Sequence, residues 1–428
     1  MSPPRAQPER GQASGLAIAR QPAHTIRCVH ELVTPVRLLA GGGLSCPDPR
    51  VLRALSTPLV GQFDPAFTAI MDEVSQLGRR ALLTANGRCF PVSGLASAGL
   101  EALLNSLVEP EDAVLVAGCE PFPSEVGQVA QRYGAELQQL TCEPAQDLDP
   151  DALARALRHH PAQLVIVPHV DPSWGVLHPV ADLARICHRQ DAWLLVDARL
   201  SLGGCELRTD DWQLDGVAAG VDACLGGPSG MALVTFSQAL EQRMLARRAP
   251  PTTSYLDLLQ LRAYWSPERL NHHTAPTSLV YGLREALRLL SLEGLEATWQ
   301  RHRQVGDALM AGLKALGFAV PGEVTSRAPH MCVVRPPEGV PADEARWRLL
   351  DEFGVYVGRG PDETWRIGLL GADARHESAL RLLAALEQVR LSYGQAVEPG
   401  AARREALATL ASQPAQPAQP APPAQAAR

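Results

Sequence analysis

The run WLLVDARLSLGG, residues 193–204, opens on four apolar residues, sets one carboxylate, Asp197, behind them and then turns on two glycines. A short unbroken apolar run bounded by turn residues reads as a strand buried on both faces. Three more runs share that texture: AVLVAG (113–118), QLVIVPHV (163–170) and MALVTF (231–236). Between them apolar residues fall at helical spacing, as in PVADLARICHRQ (179–190) and in the region 97–107. Strand, helix and strand repeated in this way predict an α/β domain on a mainly parallel sheet. Ligands of such sheets sit outside the carboxyl ends of the strands, which is where Asp197 stands.

Beyond about residue 275 the texture changes: 277–317 is long and helical, HMCVVRP (330–336) and TWRIGLLG (364–371) read as short strands, and 375–393 as a final helix. These make a smaller α+β domain. The expected division is a loose arm over 1–36, a large α/β domain over 37–285, a small C-terminal domain over 286–395 and a disordered Pro/Ala/Gln tail over 396–428.

The 428 residues carry a net charge of -7, with 46% hydrophobic and 20% charged residues. That is the profile of an ordinary globular protein, and it gives no reason to expect nucleic acid or a membrane as partner. Nine cysteines without a CxxC pair or His/Cys cluster speak against a zinc site and against a disulfide framework. Residues 1–36 hold no apolar run long enough for a signal peptide, and no segment approaches a membrane span, so the cytoplasm is the expected compartment. Lys314 is the only lysine, the rest of the 39 basic residues being arginine.

Six further pieces follow one another in order: DPRVLRALSTPLVGQFDP (48–65), SAGLEALLNSLVEPED (97–112), DDWQLDGVAAG (210–220), CLGGPSG (224–230), YWSPERLNHHTAPTSLVYGLREALRL (264–289) and WRIGLLG (365–371). Together with the strand of Asp197 they resemble the class V aminotransferases, the fold-type-I enzymes that use pyridoxal phosphate. The likeness runs from about residue 36 to 393 and is strongest to the glyoxylate-using members, including the ureidoglycine–glyoxylate branch of purine breakdown. It implies a seven-stranded-type sheet in the large domain and a homodimer with composite sites.

The resemblance assigns Asp197 to the protonated ring nitrogen of the cofactor, where a carboxylate keeps the ring an electron sink. Phe122 falls where the family stacks an aromatic on that ring, Gly94 and Ser97 at its phosphate-binding turn, and Ser173 in the segment near its hydroxyl. Arg366 matches the arginine that holds the substrate carboxylate, a task that suits a planar guanidinium. Asn271, His272, His273 and Thr274 match a stretch that reaches the neighbouring subunit's cofactor phosphate or substrate, and Gln62 lies near the substrate entrance.

The departures from the family gather on the cofactor. In GVDACLGGPSG (220–230) Asp222 and Ala223 stand where the family has glutamine and the Schiff-base lysine. Alanine is neither nucleophile nor base, and Lys314 sits in a helical stretch of the small domain. Leu95 and Ala96 replace two hydroxyl residues of the phosphate turn, although a helix still follows it. Arg199 replaces a small or apolar residue under the ring, the segment 171–174 reads Asp-Pro-Ser-Trp, and an entry loop becomes Gly41-Gly42-Gly43-Leu44. Arg199 is expected to fill the vacated space and pair with Asp197 or Asp222, relieving a buried carboxylate.

Two functions follow. One is a non-transaminating relative in which no catalytic residue is intact and covalent cofactor binding is lost; it would bind a small carboxylate, as a homodimer or as a heterodimer with an active paralogue. The other is an active amino acid–glyoxylate aminotransferase working on pyridoxal or pyridoxamine phosphate with a proton carrier other than lysine. A third, different chemistry on the same fold, finds no Ser-His-Asp constellation or metal cluster to support it.

Overall fold

The computed structural model describes residues 32–321 and 326–413, and the apolar runs singled out above become strands almost to the residue. In chain order the elements are β1 (Leu38–Leu39), α1 (Pro49–Leu55), α2 (Pro65–Ala81), β2 (Cys89–Ser93), α3 (Ala96–Leu107), β3 (Ala113–Cys119), α4 (Phe122–Arg132), β4 (Glu136–Cys142) and α5 (Pro150–His159). There follow β5 (Leu164–Pro168), α6 (Val180–Arg189), β6 (Trp193–Ala198), β7 (Gly216–Gly220), β8 (Met231–Phe236), α7 (Gln238–Leu245), α8 (Leu258–Trp265), α9 (Thr277–Glu293) and α10 (Leu295–Ala315). The chain closes with β9 (Met331–Val334), α11 (Ala342–Phe353), β10 (Val355–Tyr356), β11 (Gly358–Arg359), β12 (Trp365–Gly368), α12 (His376–Ser392) and α13 (Ala401–Ser412).

Three helices start on an Asp-Pro pair. Asp48, Asp64 and Asp149 each accept a backbone N–H of the first turn of α1, α2 and α5, and proline fills the following position. Such a cap satisfies a donor that the helix cannot pair internally, and it is worth about 1 kcal/mol.

Seven strands form one sheet in the order β2-β8-β7-β6-β5-β3-β4. β8 pairs antiparallel with both its neighbours, and the remaining pairs are parallel. This is the mainly parallel α/β sheet expected. Residues of β5, β7 and β8 are buried throughout, so the sheet is covered on both faces.

A second core gathers α10, α12 and α13 with the antiparallel sheet β11-β12-β9. Three details differ from the sequence reading. Residues 38–41 go with this second core: β1 runs parallel to β10, Leu38 and Ala40 are buried among its residues, and Gly41 bridges to Gly368. The stretch 277–317 is two helices rather than one, broken at Gly294, whose φ of 89° ends α9. The tail expected from 396 gives way to α13, because Ala402 and Ala406 form a small-residue face that beds against α10 near Gly312. Residues 1–31 of the expected arm and 414–428 of the expected tail lie outside the described residues. Residues 32–36 hold no helix or strand, with Leu32, Val33 and Val36 exposed. No described helix is long and apolar enough to cross a membrane.

Candidate functional site

The segments that follow β3, β5 and β7 leave the sheet at its carboxyl edge and carry Phe122, Ser173 and Ala223, and Asp197 stands at the same edge near the end of β6. Asp197 closes β6 in register with Pro168 of β5 and Ala218 of β7, and it is fully buried. Its Oδ1 accepts the backbone N–H of Arg199 at 2.9 Å. Its Oδ2 accepts Nε of the same guanidinium at 2.8 Å, and Nη2 closes the fork on that oxygen. The guanidinium carbon lies 5.8 Å from the centre of the Phe122 ring, itself buried at the start of α4. Burial works against the charge of Arg199, but Asp197, Glu125 and Asp171 outweigh it and raise the pKa above its ordinary value. Of the two partners expected for Arg199, the fold selects Asp197. Asp222 is engaged elsewhere: its Oδ2 accepts the Ser229 hydroxyl at 3.0 Å.

Ala223 is 3% exposed and packs in a small apolar cluster with Val170, Leu200, Cys224 and Met331. Its carbonyl accepts Ser45 Oγ at 2.6 Å and the Gly226 N–H at 3.1 Å. Ser45 also donates its N–H to the Asp222 carbonyl, so one residue from the N-terminal end of the chain fixes this turn. Nothing in the sequence signals that role. Lys314 is exposed in the last turn of α10, on the second core.

Behind Arg199, Asp171 is buried and caps the next turn, its Oδ1 accepting the N–H of Ser173 at 2.9 Å and of Trp174 at 2.8 Å. Its Oδ2 makes no hydrogen bond among the described residues, and burial pushes its pKa up to about 6. Arg366 on β12 reaches the same turn, with Nη1 donating to the Pro172 carbonyl at 2.9 Å and Nε to the Gly41 carbonyl at 3.0 Å. Its Nη2 makes no hydrogen bond among the described residues. Burial pushes the Arg366 pKa down. The glycines of 41–43 let the backbone approach: a Cβ on Gly42, at φ +67°, would stand 2.7 Å from Met331 Sδ and 3.1 Å from Arg366 Cγ.

The remaining candidates form a second group. Gln62 clasps the NHHT segment, donating to Asn271 Oδ1 at 3.1 Å and accepting the Ala275 N–H at 3.0 Å. His273 Nε2 lies 3.5 Å from Ser93 Oγ, His273 Nδ1 lies 2.7 Å from His272 Nδ1, and His272 Nε2 lies 2.8 Å from the Ser254 carbonyl. One set of protons fits all three contacts: the serine hydroxyl donates to His273, His273 to His272, and His272 to the carbonyl. Burial and His272 push the His273 pKa down. Gly94, at φ +134°, donates its N–H to the Gly230 carbonyl at 2.8 Å. Leu95 stands at the cap of α3 without a side-chain cap bond. Ser97 and Thr274 are exposed, and neither side chain makes a hydrogen bond among the described residues.

The fold also brings Cys119, Cys142 and His178 within 4.8 Å of one another, a grouping that spacing alone hides. Two of their atoms have partners outside the group: Cys119 Sγ donates to the Gln146 carbonyl at 3.2 Å, and His178 Nδ1 accepts the Leu148 N–H at 3.1 Å, while Cys142 Sγ lies 2.8 Å from Cys119 Sγ.

These side chains do not fit pyridoxal phosphate as the resemblance places it. Both oxygens of Asp197 are taken by Arg199, position 223 holds no amine, and Leu95 and Ala96 offer no hydroxyl. The comparisons with known proteins nevertheless point one way. The family described as aminotransferase class-V matches residues 66–367. The (S)-ureidoglycine--glyoxylate transaminase of Bacillus subtilis (strain 168) is 39% identical over 399 residues, covering 88% of this chain and 96% of that protein. A crystal structure of ureidoglycine-glyoxylate aminotransferase from Bacillus subtilis superposes with a TM-score of 0.86 over 89% of this chain and 99% of that one, at 39% identity. The alanine--glyoxylate aminotransferase of Oryctolagus cuniculus is 34% identical over 370 residues, 83% of this chain and 93% of that protein.

Proposed function

The chain belongs to the class-V aminotransferase family, and from that premise we propose that it keeps the family's frame without ordinary transamination and binds a small carboxylate through Arg366. The observation that carries this is the Arg199–Asp197 pair against the Phe122 ring. By the resemblance, that carboxylate pairs with the cofactor's ring nitrogen and that aromatic stacks on the ring. A guanidinium that engages both supplies charge balance but no electron sink, and Ala223 supplies neither nucleophile nor base. Nη2 of Arg366 makes no hydrogen bond among the described residues and lies beside Gly43. Relatives named for glyoxylate suggest a ligand of that size.

The proposed assembly is a homodimer, with a heterodimer with an active paralogue as the other outcome. Leu59, Phe63, Leu95 and Leu270 are exposed, and their segments are tied together by the Gln62–Asn271 and Ser93–His273 contacts. Exposed apolar side chains grouped in this way suit a protein partner. The cytoplasm is the proposed compartment, in keeping with eight described cysteines that are all free.

Calorimetric titration with pyridoxal phosphate and with pyridoxamine phosphate, followed by a glyoxylate amino-transfer assay, tests the reading. The expected protein is colourless, binds neither and does not turn over. Turnover with either form would establish the alternative, an aminotransferase with a proton carrier other than lysine. Restoration of activity by Ala223→Lys alone would show that Arg199 does not close the site.

A further inference from the structure

Strands β3 and β4 each end on a cysteine, and the parallel register sets Cys119 opposite Cys142. Neighbouring strands lie ~4.8 Å apart, inside the ~4.4–6.8 Å between Cα atoms that a disulfide bridges. Register partners direct their side chains to the same face of a sheet, and here the two sulfurs stand 2.8 Å apart. A bond of ~2.05 Å needs less than ~1 Å of further approach. We infer that Cys119 and Cys142 are a site of reversible oxidation, closing to a disulfide when a peroxide reaches the chain.

The two thiols differ in access. Cys142 is partly exposed on the edge strand, whereas Cys119 is buried. Contact with Cys142 and burial push the Cys119 pKa up, which keeps it a thiol, donating to the Gln146 carbonyl at 3.2 Å. Cys142 therefore meets the oxidant first. Its thiolate attacks one oxygen of the peroxide, the O–O bond breaks and hydroxide leaves, giving a sulfenic acid. The Cys119 sulfur then attacks the sulfenic sulfur. The S–S bond forms, the S–O bond breaks, and the hydroxyl departs with the Cys119 proton as water. In sum two thiols and one hydrogen peroxide give one disulfide and two waters. A pair that stays reduced until an oxidant arrives suits the compartment proposed above, where disulfides are transient. Cys119 stands just before Phe122, whose ring lies against Arg199. Closure thus fastens to β4 the strand end that carries this ring.

The test treats reduced full-length protein with hydrogen peroxide, blocks the remaining thiols with iodoacetamide and reads tryptic peptides by mass. Cleavage after Arg132 separates the two cysteines, so closure joins peptides 89–132 and 133–155. That linked pair is expected in most molecules, and dithiothreitol is expected to release it. The cysteines are 23 positions apart, and the chain entropy of such a loop gives a rise of about 3 °C in melting temperature. Cys142→Ser, a change at a partly exposed position, is expected to abolish both the linked peptides and the rise. Cys119→Ser is expected to abolish the link and to leave a sulfenic acid on Cys142 that dimedone traps. Peroxide that leaves both cysteines open to iodoacetamide, a link that persists in Cys119→Ser, or a melting temperature that does not rise on closure overturns the inference. None of these readouts uses the ligand of Arg366, so failure here is separate from failure of the proposed function.

Discussion

Arg199→Ala tests the physical core of this reading. Among the described residues Oδ2 of Asp197 accepts hydrogen bonds only from the Arg199 side chain, and Oδ1 accepts only the Arg199 backbone N–H. The variant keeps the backbone bond and strands Oδ2 in a position with no solvent exposure. Breaking a buried ion pair by removing one partner costs ~3–5 kcal/mol. The Arg199 side chain is itself 27% exposed, so water can enter the gap and the lower end applies, about 3 kcal/mol. At ~2.1 cal/mol/K of unfolding entropy per residue, a chain of this length melts about 3 °C lower. Differential scanning calorimetry in matched buffer reads that shift. The double variant Asp197→Asn/Arg199→Ala removes the stranded charge and is expected to recover about 2 kcal/mol of the loss. An unchanged melting temperature, or a double variant no better than the single one, would refute the idea that the guanidinium is needed to balance Asp197.

Other outcomes follow from the same structure. Asp171 is pushed up to about 6 in the folded chain by burial, above the ~3.9 of an unfolded aspartate, so its carboxyl holds a proton more tightly when folded; its contribution is present below about pH 4 and lost as pH rises to about 6. Asp171→Asn should therefore match the parent at pH 4 and exceed it by about 2 kcal/mol at pH 7.5 in urea melts. Burial holds His169, His178 and His330 at about 3, 4 and 4; unfolded histidines titrate near ~6.5, so the unfolded chain binds more protons below that value and stability falls as pH drops from about 6.5 to 4. Thermal melts that stay flat across that window would contradict the buried, neutral state. Gly42→Ala, at φ +67° and against Met331 and Arg366, should cost about 1–3 kcal/mol by denaturant melt and weaken carboxylate binding with it.

The sheet was most legible where strands are buried on both faces by large residues, as in β6 and β8. Three strands were not read. β4 is a sheet edge with alternating exposure and a polar sequence. β2 carries Pro91, which argues against a strand on propensity alone. β7 is GVAAG, small because its neighbours come close: a Cβ on Gly216 would meet Leu195 at 2.7 Å, and one on Gly99 of α3 would stand 3.5 Å from Ala218. Propensity has no access to such tertiary limits. At the site, the Arg199–Asp197 pair could be anticipated because the two residues are neighbours in sequence and of opposite charge. The grip of Ser45 on Asp222 and Ala223, and the chain of contacts from Ser93 through His273 and His272, join distant segments and leave no local pattern.

The pairing of β1 with β10 bears on how the chain is made. Leu38 lies beside Val355, and the Gly41 carbonyl holds an arginine 325 positions further on. At ~5–20 residues per second of synthesis, roughly 15–60 seconds pass between the emergence of these partners. The α/β sheet can close in that interval, since the strands it uses lie between residues 89 and 236. The second core cannot, because its first strand waits for β10. Arg366, for which carboxylate binding is proposed, thus acquires its setting only when the two ends of the fold meet, and a ribosome stalled before residue 355 would hold a finished sheet with that setting unbuilt.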